Sequence, residues 1–66
     1  MKLREWLHFV DVDRTMWIYI DKKLDDGRIA KWSSRSVGPV IMSPLGSHEI
    51  VQAKVTEKGN LWILIK

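Results

Sequence analysis

The chain has 66 residues with no cysteine and four tryptophans, and its eleven Lys and Arg outweigh eight Asp and Glu to give a net charge of +3. A chain of this length is expected to be one domain spanning 1–66, and the missing cysteines exclude disulfides and thiolate metal sites as sources of stability. Charges of both signs are interspersed, so the basic excess permits attraction to nucleic acid without making a basic tail.

Leu3, Trp6, Leu7 and Val10 recur at i, i+3, i+4 and i+7, which predicts an amphipathic helix over 2–10 with Lys2, Arg4, Glu5 and His8 toward water. The helix is intrinsically weak. No capping side chain precedes it, basic residues sit at its positive end, and Asp11 and Asp13 follow its negative end. It should form only by packing on a sheet. Asp11-Val-Asp13 starts like a calcium loop, but the sixth position is Met16 instead of glycine and the twelfth is Lys22 instead of a carboxylate. The two aspartates read as punctuation between helix and strand.

Residues 14–23 form the first predicted strand and 28–33 the second. A three-residue loop of Asp25, Asp26 and Gly27 pairs Ile20 with Trp32 and Asp21 with Lys31, matching apolar with apolar and acid with base; a two-residue turn would spoil both matches. The segment "SSRSVGPVIMSPLGSHE" is rich in Ser, Gly and Pro and reads as a long connection. Its one extended piece is Val40 to Met42, bracketed by Pro39 and Pro44 and so confined to an edge. In "AKVTEKGNLWILIK" a loop of Glu57, Lys58 and Gly59 pairs Val55 with Leu61, Ala53 with Ile63 and Val51 with Ile65.

Alternation along these strands sorts the side chains onto two faces. One carries Met16, Ile18, Ile20, Ala30, Trp32, Val51, Ala53, Val55, Leu61, Ile63 and Ile65, which the helix covers with Leu3, Trp6, Leu7 and Val10. That face is the expected core. The other carries Trp17, Tyr19, Ile29, Ile50, Trp62 and Leu64 among Asp21, Lys31, Gln52, Lys54 and Lys66, and a single short helix cannot cover both. The expected fold is α+β, a short N-terminal helix on an antiparallel sheet of two hairpins joined by a long loop, with curling toward a small barrel left open.

Little in the chain carries chemistry. There is no nucleophile elbow, no Gly-rich phosphate loop and no paired carboxylates on neighbouring strands, and His8 and His48 lack ligand spacing, so no enzyme, metal, cofactor or small-molecule substrate is expected. The longest apolar run, Leu61 to Ile65, is far short of the roughly 20 residues that span a bilayer, which predicts a cytoplasmic protein with no membrane role. The surplus apolar face is the candidate site. Trp17, Tyr19, Ile29, Trp62 and Leu64, with Lys31 and Lys54, are expected to bind a protein partner or a second copy in a homodimer. The alternative is a small nucleic-acid-binding module in which the same rings stack on bases while Lys22, Lys31 and Lys54 meet phosphates.

The opening "MKLREWLHFVDVDRTMWIYI" and the closing "EIVQAKVTEKGNLWILIK" together resemble small uncharacterised helix-plus-hairpin proteins encoded by bacterial phages and other mobile elements. The resemblance implies an accessory protein without chemistry of its own, one that acts as an inhibitor by binding and blocking a host defence protein.

Overall fold

The computed structural model describes residues 1–9 and 16–66. Its elements are α1 (Leu3–Phe9), β1 (Ile18–Lys23), β2 (Ile29–Ser34), α2 (Val37–Met42), a 3-10 turn at Pro44–Ser47, β3 (Ile50–Val55) and β4 (Leu61–Ile65). The expected contributions of Val10, Asp11, Asp13 and residues 14–15 lie outside the described residues.

Both hairpins close through the three-residue loops that side-chain matching favours. Leu24 N–H donates to the Arg28 carbonyl at 2.8 Å and Gly27 N–H to the Leu24 carbonyl at 3.0 Å, while Thr56 N–H reaches the Asn60 carbonyl at 2.7 Å and Gly59 N–H the Thr56 carbonyl at 2.9 Å. Each loop ends on a glycine of positive φ, +88° at Gly27 and +79° at Gly59, where a Cβ would crowd its own backbone. The registers follow: Ile20 faces Trp32, Asp21 faces Lys31, Ala53 faces Ile63 and Val55 faces Leu61.

Near the start of β3 the expected register breaks. An irregularity between Ile50 and Gln52 sets Ile50, not Val51, opposite Ile65. The extra residue of a bulge exchanges the faces of its neighbours, so Ile50 packs against the core and Val51 is 58% exposed, the reverse of their expected places.

The sheet is α+β in class, as expected, yet it is mixed and not wholly antiparallel. Its strand order is β2-β1-β4-β3, and the two central strands run parallel with Ile18 facing Leu61 and Ile20 facing Ile63. Parallel neighbours need a long crossover, and the segment through α2, the 3-10 turn and β3 supplies it. The arrangement puts β1 and β4 at the centre, so that Ile18, Ile20, Leu61, Ile63 and Ile65 are all buried. Edges β2 and β3 are not paired with each other, so no barrel forms.

The middle segment also differs from expectation. Val40 to Met42 is the end of helix α2, not an extended edge piece. Pro39 is its third residue, where backbone N–H groups have no acceptor within the helix, so the proline forfeits no hydrogen bond. The spacing of Val37, Val40 and Ile41 at i, i+3 and i+4 aims one stripe inward: Val40 is buried in the core and the other two pack against it.

Helix α1 forms despite its weak ends because tertiary contacts complete them. Leu3 N–H donates to the His48 carbonyl at 2.8 Å, and Ile50 N–H to the Met1 carbonyl at 2.9 Å, tying the chain's start to the entry of β3. The Met1 ammonium meets Glu49 Oε2 at 2.8 Å, and this hydrogen bond, with the attraction of the two charges, holds the amine above its ordinary pKa and Glu49 below the usual carboxylate range. Arg4 Nε donates to the Ile41 carbonyl at 3.0 Å, satisfying an acceptor in the last turn of α2. Leu3 and Leu7 are buried and Trp6 is half-buried against the same core.

Not every residue of the expected core is covered. Helix α1 is roughly 10 Å long at about 1.5 Å per residue, against about 14 Å between the outer strands of the sheet. Trp32 on edge β2 is therefore 40% exposed and Val55 on edge β3 is 64% exposed, although both stand on the inward face by register.

Candidate functional site

The helices and the 3-10 turn pack on one another and on the Ile18, Ile20 and Ile63 side of the sheet, so the middle segment does not fold back over the opposite face. That opposite face is organised in rows running across the strands. Register places Ser33, Tyr19, Trp62 and Lys54 in one row from β2 to β3, and Lys31, Asp21, Leu64 and Gln52 in the next. Five of the seven residues expected to bind a partner (Tyr19, Lys31, Lys54, Trp62 and Leu64) are thus contiguous.

Trp17 joins them from just before β1. Its backbone is held on both sides, N–H donating to Asn60 Oδ1 at 3.1 Å and carbonyl accepting from Leu61 N–H at 2.9 Å. Its ring lies nearly parallel to that of Tyr19, 18° between planes and 6.2 Å between centroids. Ile29 lies apart, at the far end of edge β2 opposite Lys23, and is 53% exposed.

Asp21 organises the centre. Trp62 Nε1–H donates to its Oδ2 at 3.0 Å, and Lys31 Nζ stands 3.5 Å from the same oxygen. The carboxylate is 15% exposed and fixes the Trp62 indole in the sheet's plane of rows through a hydrogen bond that water contests little. The pairing of Asp21 with Lys31 is legible from the hairpin, but its bond to Trp62 depends on β1 lying beside β4.

Two cations stand over the rings. Lys54 Nζ is 5.2 Å from the Trp62 centroid and Arg35 Cζ is 4.8 Å from that of Trp17, both within cation–π range. Arg35 is absent from the sequence-derived site. Continuing the alternation of Ile29, Lys31 and Ser33 by one step would have placed it there, but Ser34 to Ser36 reads as loop.

Tyr19 separates two open depressions. One, of about 460 Å³, is bounded by Asp21, Lys31, Trp32, Ser33 and Trp62; the other, of about 570 Å³, by Lys54, Thr56, Glu57, Lys58 and Asn60. Neither is enclosed enough to shield a reaction from water.

Among the described residues no three His, Cys, Asp or Glu side chains come together as a metal cage requires. Among the same residues no helix is long and apolar enough to cross a membrane. No protein-family model, curated protein or solved structure matches the chain.

Proposed function

We propose that this protein is a non-enzymatic binding module whose working surface is the open face of its sheet, centred on Tyr19 and Trp62. The observation that supports this reading is the one-sided cover: the helices pack against the aliphatic face, and the aromatic face has no element over it, with Tyr19 exposed and Trp17, Trp62 and Leu64 half-buried. Three neighbouring rings on the side of so small a sheet that no helix covers form an apolar patch of the kind that docks a partner. Blocking a host protein, as expected of a phage-borne inhibitor, and pairing with a second copy would both use this surface, with Ile29 and Leu64 adding aliphatic contact. A cytoplasmic setting belongs to the same proposal. Nucleic-acid binding is the second reading, favoured by the cations seated over Trp17 and Trp62.

The test is a double substitution of the two ring positions that face each other across β1 and β4. Tyr19→Ser with Trp62→Ser should abolish association, whether with a second copy in sedimentation or with a partner captured from the source cell, while circular dichroism stays that of the folded chain. Association that survives in the folded double variant means the working surface lies elsewhere.

A further inference from the structure

Resting on the reading that the open face is the working surface, we infer that its partner is single-stranded nucleic acid, with bases against Tyr19 and Trp62 and phosphates at Lys31, Lys54 and Arg35. Charge is the first argument. On the open face the strands carry Lys23, Lys31 and Lys54 against one acid, Asp21, whereas Lys22, expected among the phosphate contacts, shares the aliphatic face of Ile18 and Ile20 by register. That acid is already engaged by the Trp62 indole and Lys31. At the rim of the face, Glu57 is accompanied by Lys58. A partner seated on the rings must therefore meet Lys54 and Arg35, which have no ion-pair carboxylate among the described residues, as well as Lys31, whose Asp21 is shared with the Trp62 indole. Protein interfaces deplete charge from their centres, because a cation desolvated against a neutral surface is left unpaired. An anionic partner removes that cost.

The geometry of the rings supplies the second argument. Trp17 and Tyr19 lie nearly parallel, stacked with 6.2 Å between centroids, and follow one another along the chain, while Trp62 stands beside Tyr19 on the next strand. Successive bases of an unpaired strand present π-faces that stack on such a platform without regard to sequence. Each depression beside Tyr19 is edged by cations, Lys31 at one and Lys54 with Lys58 at the other, where the phosphates linking those bases would fall. A duplex offers these cations its phosphates but keeps its bases from the rings. An acidic polypeptide offers carboxylates without a repeating flat group. Only an unpaired strand uses both halves of the surface.

Fluorescence anisotropy with labelled oligothymidylate and oligouridylate tests this, with a duplex of equal length and polyglutamate as the competing arms. The single strands should bind and the competitors bind much more weakly; the two sugar arms identify which nucleic acid is preferred. Affinity should fall with salt at a log–log slope near −2, about −0.7 for each of three phosphates. Lys54→Ala should make that slope shallower by about 0.7, and Tyr19→Ala should weaken binding roughly tenfold at unchanged slope. Both side chains are exposed, so the fold should survive their removal. Absence of binding at low salt, equal affinity for duplex or polyglutamate, or indifference to Tyr19→Ala would each overturn the inference. If oligonucleotides fail while protein association still requires Tyr19 and Trp62, this inference falls and the binding-module reading stands.

Discussion

Gly27 and Gly59 hold φ of +88° and +79°, and a Cβ built on either would meet nothing within 4 Å. The need for glycine at both places is therefore confined to the backbone, with no contribution from packing. Gly27→Val and Gly59→Val should each destabilise the chain by roughly 1–3 kcal/mol, since a β-branched residue is strained at positive φ. Asparagine, which tolerates that region, should cost much less at the same positions. Urea unfolding of the four variants checks both points, and a valine that costs no more than the asparagine would remove the three-residue loops from the account. At the same scale Asp21 shows how one carboxylate serves two strands. Its bond to Trp62 and its proximity to Lys31 link β4, β1 and β2 through a single oxygen.

Among the elements, α1 and the 3-10 turn approach closely at Gly46. A Cβ there would lie 3.0 Å from the Ile41 carbonyl oxygen, 3.1 Å from Arg4 Nε and 3.2 Å from Arg4 Cβ. Backbone on one side leaves little room to give, and displacing Arg4 breaks its bond to Ile41 at the end of α2. Gly46→Ala should accordingly cost about 1–3 kcal/mol, as overpacking does, in the same denaturation assay. Gly38, in α2, has nothing but its chain neighbours within 4 Å of a built Cβ, and alanine there should cost less than at Gly46, helix propensity favouring it while the Pro39 ring opposes a Cβ in the residue before it. The contrast separates crowding from propensity, because the substitution is the same at both sites. It also tests whether α1 is held by contact: its isolated propensity is poor, and its first turn is satisfied by His48 and Glu49 at the far end of the middle segment.

For the whole molecule, one small aliphatic core carries the stability. Leu3, Ile18, Ile20, Ile63 and Ile65 are each under 2% exposed, and they come from the helix and the two central strands. Ile63→Ala should cost about 2–5 kcal/mol, and with about 4–8 °C of melting temperature per kcal/mol at this size it should unfold much of the protein near physiological temperature. Phe9→Ser and Met42→Ser, at 81% and 85% exposure, should stay within about 0.5 kcal/mol of the parent. Thermal melts followed by circular dichroism measure all three. A Phe9 or Met42 variant that melts as early as the Ile63 variant would mean that the helices bury a surface other than the one described.

The sequence by itself determined the local pairings. Both hairpin registers around their loops follow from matching apolar with apolar and acid with base over a few residues, and the helix stripe follows from spacing, because these are interactions between near neighbours in the chain. It also separated most of the aromatic face from the aliphatic one, since alternation depends only on the strand being extended. The parallel seating of β1 against β4, the Ile50 bulge and the helical form of Val40 to Met42 were decided by the tertiary structure. In each case the deciding partner is distant: β4 is closed against β1 only after the crossover, Ile50 is set opposite Ile65 and packs on the core through a register shift, and Val37, Val40 and Ile41 become a stripe because there is a surface for it to cover. The candidate site divides along the same line. Its rings and lysines were legible from alternation, whereas the Asp21–Trp62 bond exists only once β4, from the far end of the chain, lies beside β1; Arg35 over Trp17 extends the first hairpin by one pair and was missed because Ser34 to Ser36 reads as loop.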